Sequence, residues 1–448
     1  MALPCGPLRP TCTPIPVKPG ATVTDSSATP RDFANRLNHS PWFAPWCMVA
    51  AFGAYACMYG FRKPFTAGSY TGGAWGANFK AWLVITQVLG YTLSKFIGIR
   101  VIAELPPHRR AMCLVLLIAL AELALLLFAI TPAPHAAVWL FANGLPLGMV
   151  FGVVLGFLEG RRMTEAFVAG LCASFILADG FTKSVGATLL KSGVPERWMP
   201  ATAGFIFLVP LPVFVWMLLQ ILPPSSEDRA ARSERAAMSK ADRMGLLRRH
   251  GMGLALITSG YLLITVLRGV RADFAPEIWG GLGVGAQPAV FTSSELWVAL
   301  GVLLLNGCLC LVRDNRRAFQ WSLRICVGGV TLALLALASL GRAYLPPFAF
   351  MALFGLGIYL PYVTVHTTVF ERLIAVTRER ANLGYLMYLA DAAGYFGYVA
   401  VLLAKIFWCP KAAFLPFFST LSWIALALAA LSFMGAAAFF SRHLRKVE

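Results

Sequence analysis

Long apolar runs recur along nearly the whole chain. Each is long enough to cross a hydrocarbon layer as a helix, which takes roughly 20 residues. Twelve can be delimited: 41–66, 79–103, 111–131, 136–158, 165–190 and 200–222, then 250–272, 292–312, 320–341, 346–370, 381–407 and 413–440. With 58% hydrophobic and 13% charged residues in 448, little of the chain is left to form a water-soluble surface. Segments this apolar, with Gly and Pro scattered inside them, fit helices rather than barrel strands. The expected fold class is an all-α membrane protein with twelve transmembrane helices.

The formal net charge of +18 invites a nucleic-acid reading, but its placement argues for topology. Most of the 38 Lys and Arg residues fall in the N-terminal tail, the even-numbered loops and the C-terminal tail. That bias puts both termini in the cytoplasm. The first 40 residues are rich in Pro, Ser and Thr, lack an apolar core and read as a disordered cytoplasmic tail rather than a signal peptide. The ten cysteines show no paired metal spacing, so no metal or cofactor is expected. Six dispersed histidines and the lack of a phosphate-binding loop after a strand argue against an enzyme or an ATP-driven pump.

Pro223-Pro224-Ser225-Ser226 ends the sixth run and opens a polar, Arg-rich stretch. Residues 223–249 are therefore read as a cytoplasmic linker between halves 41–222 and 250–448. The halves echo each other. Tyr55 precedes Arg62 by seven residues, and Tyr261 precedes Arg268 by seven, an offset of 206. Arg109-Arg110-Ala111 returns as Arg316-Arg317-Ala318, Glu159 as Glu371, and Leu177-Ala178-Asp179 as Leu389-Ala390-Asp391. Six plus six spans in parallel repeat with a long linker describe the major-facilitator architecture, two pseudo-symmetric six-helix halves with the site between them near the bilayer midplane. Gly144, Gly148, Gly152, Gly156 and Gly160 form a stripe along the fourth span where another helix can approach closely.

Charges inside apolar spans are costly and tend to have a task. Arg62 with Lys63, and Arg268, lie near the ends of equivalent spans. They can snorkel to the interface, or together hold an anion, for which a planar donor fork is well suited. Phe65 and Ala67 in one half, and Phe274 and Ile278 in the other, are expected to continue the helices past the charge. Lys95 can snorkel toward the cytoplasmic face. Asp179 and Lys183, one turn apart, are expected to neutralise each other. Asp391 has no such neighbour on its own helix, so it needs a partner on another span, a partner in the substrate, or a proton. Glu122 and His366 are read as structural.

Several short motifs, in order, resemble the organophosphate:phosphate antiporter family, which includes the bacterial glycerol-3-phosphate and hexose-phosphate transporters. They are Tyr59-Gly60-Phe61-Arg62-Lys63-Pro64-Phe65, Tyr91-Thr92-Leu93-Ser94-Lys95-Phe96, Leu267-Arg268 followed by Asp273-Phe274-Ala275-Pro276, Gly357-Ile358-Tyr359-Leu360-Pro361, and Gly394-Tyr395-Phe396-Gly397-Tyr398. The resemblance implies that Arg62 and Arg268 grip an anionic group, that Lys95 adds charge, and that Tyr55, Tyr59, Tyr91, Tyr359 and Tyr398 shape the pocket. The sequence also departs from the family. Glu104-Leu105-Pro106-Pro107 stands where an Asp-Arg pair is usual, and Thr265 stands in place of a tyrosine. The carboxylates Asp179 and Asp391 are not the pattern of the glycerol-3-phosphate transporter.

The expectation is a secondary transporter of the bacterial inner membrane, working as a monomer on a small anionic substrate, with a phosphorylated one first in line. Its partners would be that substrate and the lipid bilayer, not nucleic acid. A transporter-like sensor and a proton-coupled carrier using Asp391 are the alternatives.

Overall fold

In a computed structural model, the chain is described over residues 30–38, 40–70, 78–103, 105–158, 164–223, 240–285, 287–312, 314–340, 344–377, 383–408 and 413–443. Residues 1–29 of the tail expected over 1–40, Glu104, Glu159, Gly160 and residues 224–239 of the linker expected over 223–249 lie outside them, while residues 30–38 of that tail form a helix rather than a disordered segment. Among the described residues every regular element is helical. In chain order the first half contains α1 (Pro30–Asn38), α2 (Phe43–Gly60), α3 (Phe79–Ala103), α4 (Arg110–Ile130), α5 (Ala137–Leu158), α6 (Thr164–Lys191), α7 (Met199–Leu208) and α8 (Leu211–Leu219). The second contains α9 (Lys240–Asp273), α10 (Ala275–Gly281), α11 (Pro288–Cys310), α12 (Asn315–Leu340), α13 (Pro347–Thr364), α14 (Phe370–Thr377), α15 (Leu383–Trp408) and α16 (Phe414–His443).

A helix stands at each of the twelve apolar runs. Nine helical segments among the described residues are both long and apolar enough to cross a membrane, or ten if α7 and α8, bent by 42°, make one span. The bend falls at Val209-Pro210, where proline withholds the N–H that would continue the ladder. The two long helices outside that count, α3 and α6, carry Lys80, Lys95, Arg100, Asp179 and Lys183. Their polarity reflects their place: each lies along the meeting of the two halves.

One expectation fails at Arg62. The first helix does not run on past the charge but stops at Gly60, because Pro64 supplies no amide hydrogen, and a 3-10 turn follows at Pro64–Ala67. Arg62 therefore sits in a turn, its N–H on the Tyr59 carbonyl at 3.0 Å. In the second half α9 carries Arg268 within the helix, breaks at Phe274 and resumes as α10. α9 also begins ten residues before the expected span edge, at Lys240.

Two seams join the halves. α6 packs on α11 and α3 packs on α15. In span order, the fifth meets the eighth and the second meets the eleventh, so each half offers its second and fifth spans to the other's fifth and second. Within the first half, α3 lies tightly on α5. A Cβ added at Gly144 would stand 2.3 Å from the Gln87 carbonyl oxygen, one at Gly148 2.6 Å from that of Tyr91, and one at Gly90 2.2 Å from that of Phe141. Of the glycine stripe, Gly144 and Gly148 are thus where two backbones touch, while Gly156 faces the Arg110 side chain.

Gly144→Val should lower the apparent melting temperature of the purified protein in detergent. Overpacking costs about 1–3 kcal/mol in well-packed cores, and here the obstacle is backbone. Gly307→Ala, at a position with nothing within 4 Å of an added Cβ, should leave it unchanged or raise it slightly.

Candidate functional site

The turn that ends α2 leaves carbonyls without helical partners in an apolar interior, where such groups must be satisfied. Two amide side chains do this. Gln87 on α3 donates through Nε2 to the Arg62 carbonyl at 3.1 Å and to Asn143 Oδ1 at 2.8 Å. Asn143 on α5 donates through Nδ2 to the Phe61 carbonyl at 3.2 Å and the Ala121 carbonyl at 3.0 Å. This scaffold fixes the Arg62 backbone, and the side chain then lies over Tyr91, its guanidinium carbon 3.9 Å from the ring centroid, with Tyr59 at 5.8 Å. Arg268 is held in the same manner from the other half, 4.4 Å over the Tyr362 ring. Only 5% of Arg62 and 7% of Arg268 is exposed, which rules out snorkelling for both.

Every other large cation in this region has a carboxylate. Lys63, beside Arg62, pairs with Asp273 at the end of α9 and lies 3.5 Å from Asp179 on α6. Asp179 also pairs with Lys183 one turn along, as expected. Tyr398 on α15 donates to the other Asp273 oxygen at 2.9 Å. Lys80 at the start of α3 meets Glu277 on α10 at 2.6 Å. Arg271 meets Glu295 at 2.6 Å and donates to the Met351 carbonyl at 3.1 Å. Lys95, instead of snorkelling, pairs with Asp391 across the α3–α15 seam. Asp391 also accepts from the Tyr261 hydroxyl at 2.6 Å and lies 3.3 Å from His366 Nε2.

Arg62 and Arg268 differ from all of these. Among the described residues neither makes an ion pair; the buried Nε of each, like that of Arg271, has no hydrogen-bond partner. Breaking a charge away from water without a counter-charge costs several kcal/mol, and stacking on one tyrosine returns only about 2 kcal/mol. Two positive charges and their donors are thus left uncompensated between the halves.

Their depth follows from α9. At about 1.5 Å per residue, Arg268 lies about 7 Å along the helix from Asp273, and Tyr261 about 10 Å further. The arginines are therefore bracketed by the Lys63–Asp273 layer on one side and the Lys95–Asp391 layer on the other. Tyr55 packs edge-on against Tyr59 at 5.6 Å and against Phe175 at 5.3 Å. Tyr359 lies on the Arg271 side, 6.0 Å from that guanidinium, with its buried hydroxyl unpartnered. The sequence-derived set Arg62, Arg268, Lys95, Tyr55, Tyr59, Tyr91, Tyr359, Tyr398, Asp179, Lys183 and Asp391 lies in and around these layers. Sequence reasoning missed roles for Lys63, Asp273, Gln87, Asn143 and Tyr362. Polar amides inside apolar runs were the available signal for Gln87 and Asn143. Glu122 lies apart, buried against Gly204 of α7, its oxygens without a hydrogen-bond partner.

The chain belongs to the DUF5690 family, described as a family of unknown function, whose model matches residues 64–443. No curated protein matches it. Among solved structures, the crystal structure of a D-xylose-proton symporter is similar with a TM-score of 0.59, covering 89% of this chain and 97% of that one at 14% identity. That likeness establishes a major-facilitator-like fold and, with the apolar helices, a multi-pass membrane protein.

Asp273→Asn should destabilise the protein by about 3 kcal/mol, the lower end for breaking a buried pair, because Lys63 keeps Asp179. Adding Lys63→Met to it should recover much of the loss. A double-mutant cycle on thermal or denaturant unfolding checks both, and additive effects would show that the two side chains do not interact.

Proposed function

We propose that this chain is a secondary active transporter of a small organic anion, working by alternating access across the bacterial inner membrane. It would have twelve transmembrane helices in two six-helix halves, residues 41–222 and 250–448, joined by a cytoplasmic linker over 223–249. Both termini would be cytoplasmic, and the monomer would be the working unit. The observation that carries this reading is the pair of buried, uncompensated arginines, one from each half, stacked on Tyr91 and Tyr362.

The charge balance sets the class of cargo. With Lys63, Lys95 and Lys183 matched by Asp273, Asp391 and Asp179, the site keeps the two arginine charges. A dianionic group satisfies them, and a phosphate monoester fits the planar donor forks, as in the organophosphate:phosphate antiporters that the motifs resemble. Inorganic phosphate fits the same pair, which supports exchange of the organic anion for phosphate. The anion would bridge Arg62 and Arg268 and draw the halves together. Its binding energy would offset the cost of exchanging one ionic layer for the other as the halves rock. Opening at the Lys63 end parts Lys63 from Asp273. Opening at the Lys95 end parts Lys95 from Asp391.

Arg62→Lys and Arg268→Lys keep the charge and remove the fork. Each should reduce uptake of labelled phosphate or phosphate esters into proteoliposomes by about tenfold or more, since a charge-assisted hydrogen bond contributes about 1.5–3 kcal/mol. Wild-type uptake by both variants would remove the arginines from the site. Ligand-dependent thermal stabilisation without any flux would instead identify a sensor.

A further inference from the structure

The Lys95 end of the site is built unequally. One of its members, Lys95, comes from the first half. The other three, Tyr261 on α9, His366 in the π-helical turn Val365–Val369 after α13, and Asp391 on α15, belong to the second. Rigid-body rocking of the halves leaves those three together and takes Lys95 away. The carboxylate of Asp391, 6% exposed with Lys95 in place, would then keep only a hydroxyl donor and a neutral ring beside it, with water where the ammonium had been. A carboxylate that has lost its ammonium favours a positive charge on the ring next to it.

His366 is placed to supply it. Its Nε2 is 3.3 Å from Asp391 Oδ1 and 3.2 Å from the Tyr261 hydroxyl oxygen. The Tyr261 hydroxyl donates its hydrogen to the carboxylate, so in the neutral ring Nε2 is the donor of the His366–Tyr261 hydrogen bond. Nδ1 then keeps its lone pair, and this buried atom has no hydrogen-bond partner among the described residues. The π turn, a local widening of the helix often found at functional sites, carries this histidine among the site's aromatic rings, stacked on Tyr261 at 5.3 Å and tilted on Tyr362 at 5.0 Å.

The charged and titratable surroundings of His366 come from four other helices. They are Lys95 from α3, Arg268 and Tyr261 from α9, Asp391 and Tyr395 from α15, and Cys172 from α6 beside Asp391. α12 packs along the π turn and buries only Cys326 among its titratable side chains. On its own helix, Tyr362 lies a turn before and Glu371 and Arg372 a turn beyond. While Lys95 is in place, its ammonium and Arg268 oppose a further positive charge on the ring. Once Lys95 withdraws, the nearest charge is the carboxylate, which favours one.

We propose that Tyr261, His366 and Asp391 form a proton-binding site that loads when Lys95 leaves Asp391. One proton from water at the open Lys95 end would bind the imidazole, making an imidazolium–carboxylate pair, and the returning Lys95 would expel it toward the Lys63 end, which by then is open to the other side. Resting on the transporter reading, this gives each opening of the Lys95 end one proton bound and each closing one released.

The test uses full-length protein carrying 15N-labelled histidine, with His366→Gln to assign the ring signals. In Lys95→Met, where no ammonium can return, the His366 ring should show the imidazolium pattern at about pH 7, and adding Asp391→Asn should abolish it. A His366 ring that stays neutral in folded Lys95→Met down to about pH 5 overturns the proposal. Should Lys95→Met not fold, wild-type proteoliposomes decide. Uptake of labelled glycerol phosphate should rise several-fold under an imposed pH gradient, and uptake indifferent to the gradient would overturn the proton site while leaving the transporter reading intact. If no probe is moved, the His366 ring of Lys95→Gln, read in the same way, decides the proton site alone: an imidazolium at about pH 7 supports it, and a ring still neutral at about pH 5 overturns it.

Discussion

A charge held away from water must be answered close by, and that requirement orders this structure. Lys63, Lys80 and Lys95 all come from the first half, and their carboxylates, Asp273, Glu277 and Asp391, all come from the second. The interactions that make these charges tolerable are therefore also links between the halves. Such links differ from apolar packing. They are few, local and directional, and each can be replaced by water or another ion when the surfaces separate. α3, which carries Lys80 and Lys95, is correspondingly too polar to stand among the helices that are long and apolar enough to cross a membrane.

The same requirement makes Arg62 and Arg268 stand out. Their guanidinium faces are covered by tyrosine rings, which supply attraction without neutralising charge. A ring on one face leaves the in-plane donors free, so the stacking orients each fork while leaving it available. Gln87 and Asn143 do comparable service for the backbone, because a helix that stops inside an apolar bundle exposes carbonyls that something must meet.

The run lengths in the sequence were enough to locate the helices, and the i,i+4 spacing was enough to pair Asp179 with Lys183. The break at Gly60 was legible in Pro64 but was outweighed by the apolar residues around it. The Lys63–Asp273 pair was not legible, since its members are 210 residues apart and meet only where the turn after α2 comes against the junction of α9 and α10. Tyr362 was missed because the family motif drew notice to Tyr359 and to the missing tyrosine at Thr265. In the fold, Tyr362 covers Arg268, while Thr265 turns its hydroxyl back to the Tyr261 carbonyl at 2.8 Å. His366 was passed over as a lone polar residue, because its neighbours Tyr261 and Asp391 come from two other helices.

One helix takes part in every layer. α3 contributes Lys80 to the pair with Glu277, Gln87 to the support of the Arg62 turn, Tyr91 to the guanidinium stack and Lys95 to the pair with Asp391. Their spacing of seven, four and four residues keeps all four on one face, and the glycine seam with α5 holds that face in register. α3 is thus a ruler laid along the candidate site. Its graduations, about 10, 6 and 6 Å, do not stretch. In the proposed transporter, a cargo that touches both the ring of Tyr91 and the ammonium of Lys95 is measured against a single helical turn, and a longer one must bend or reach past it.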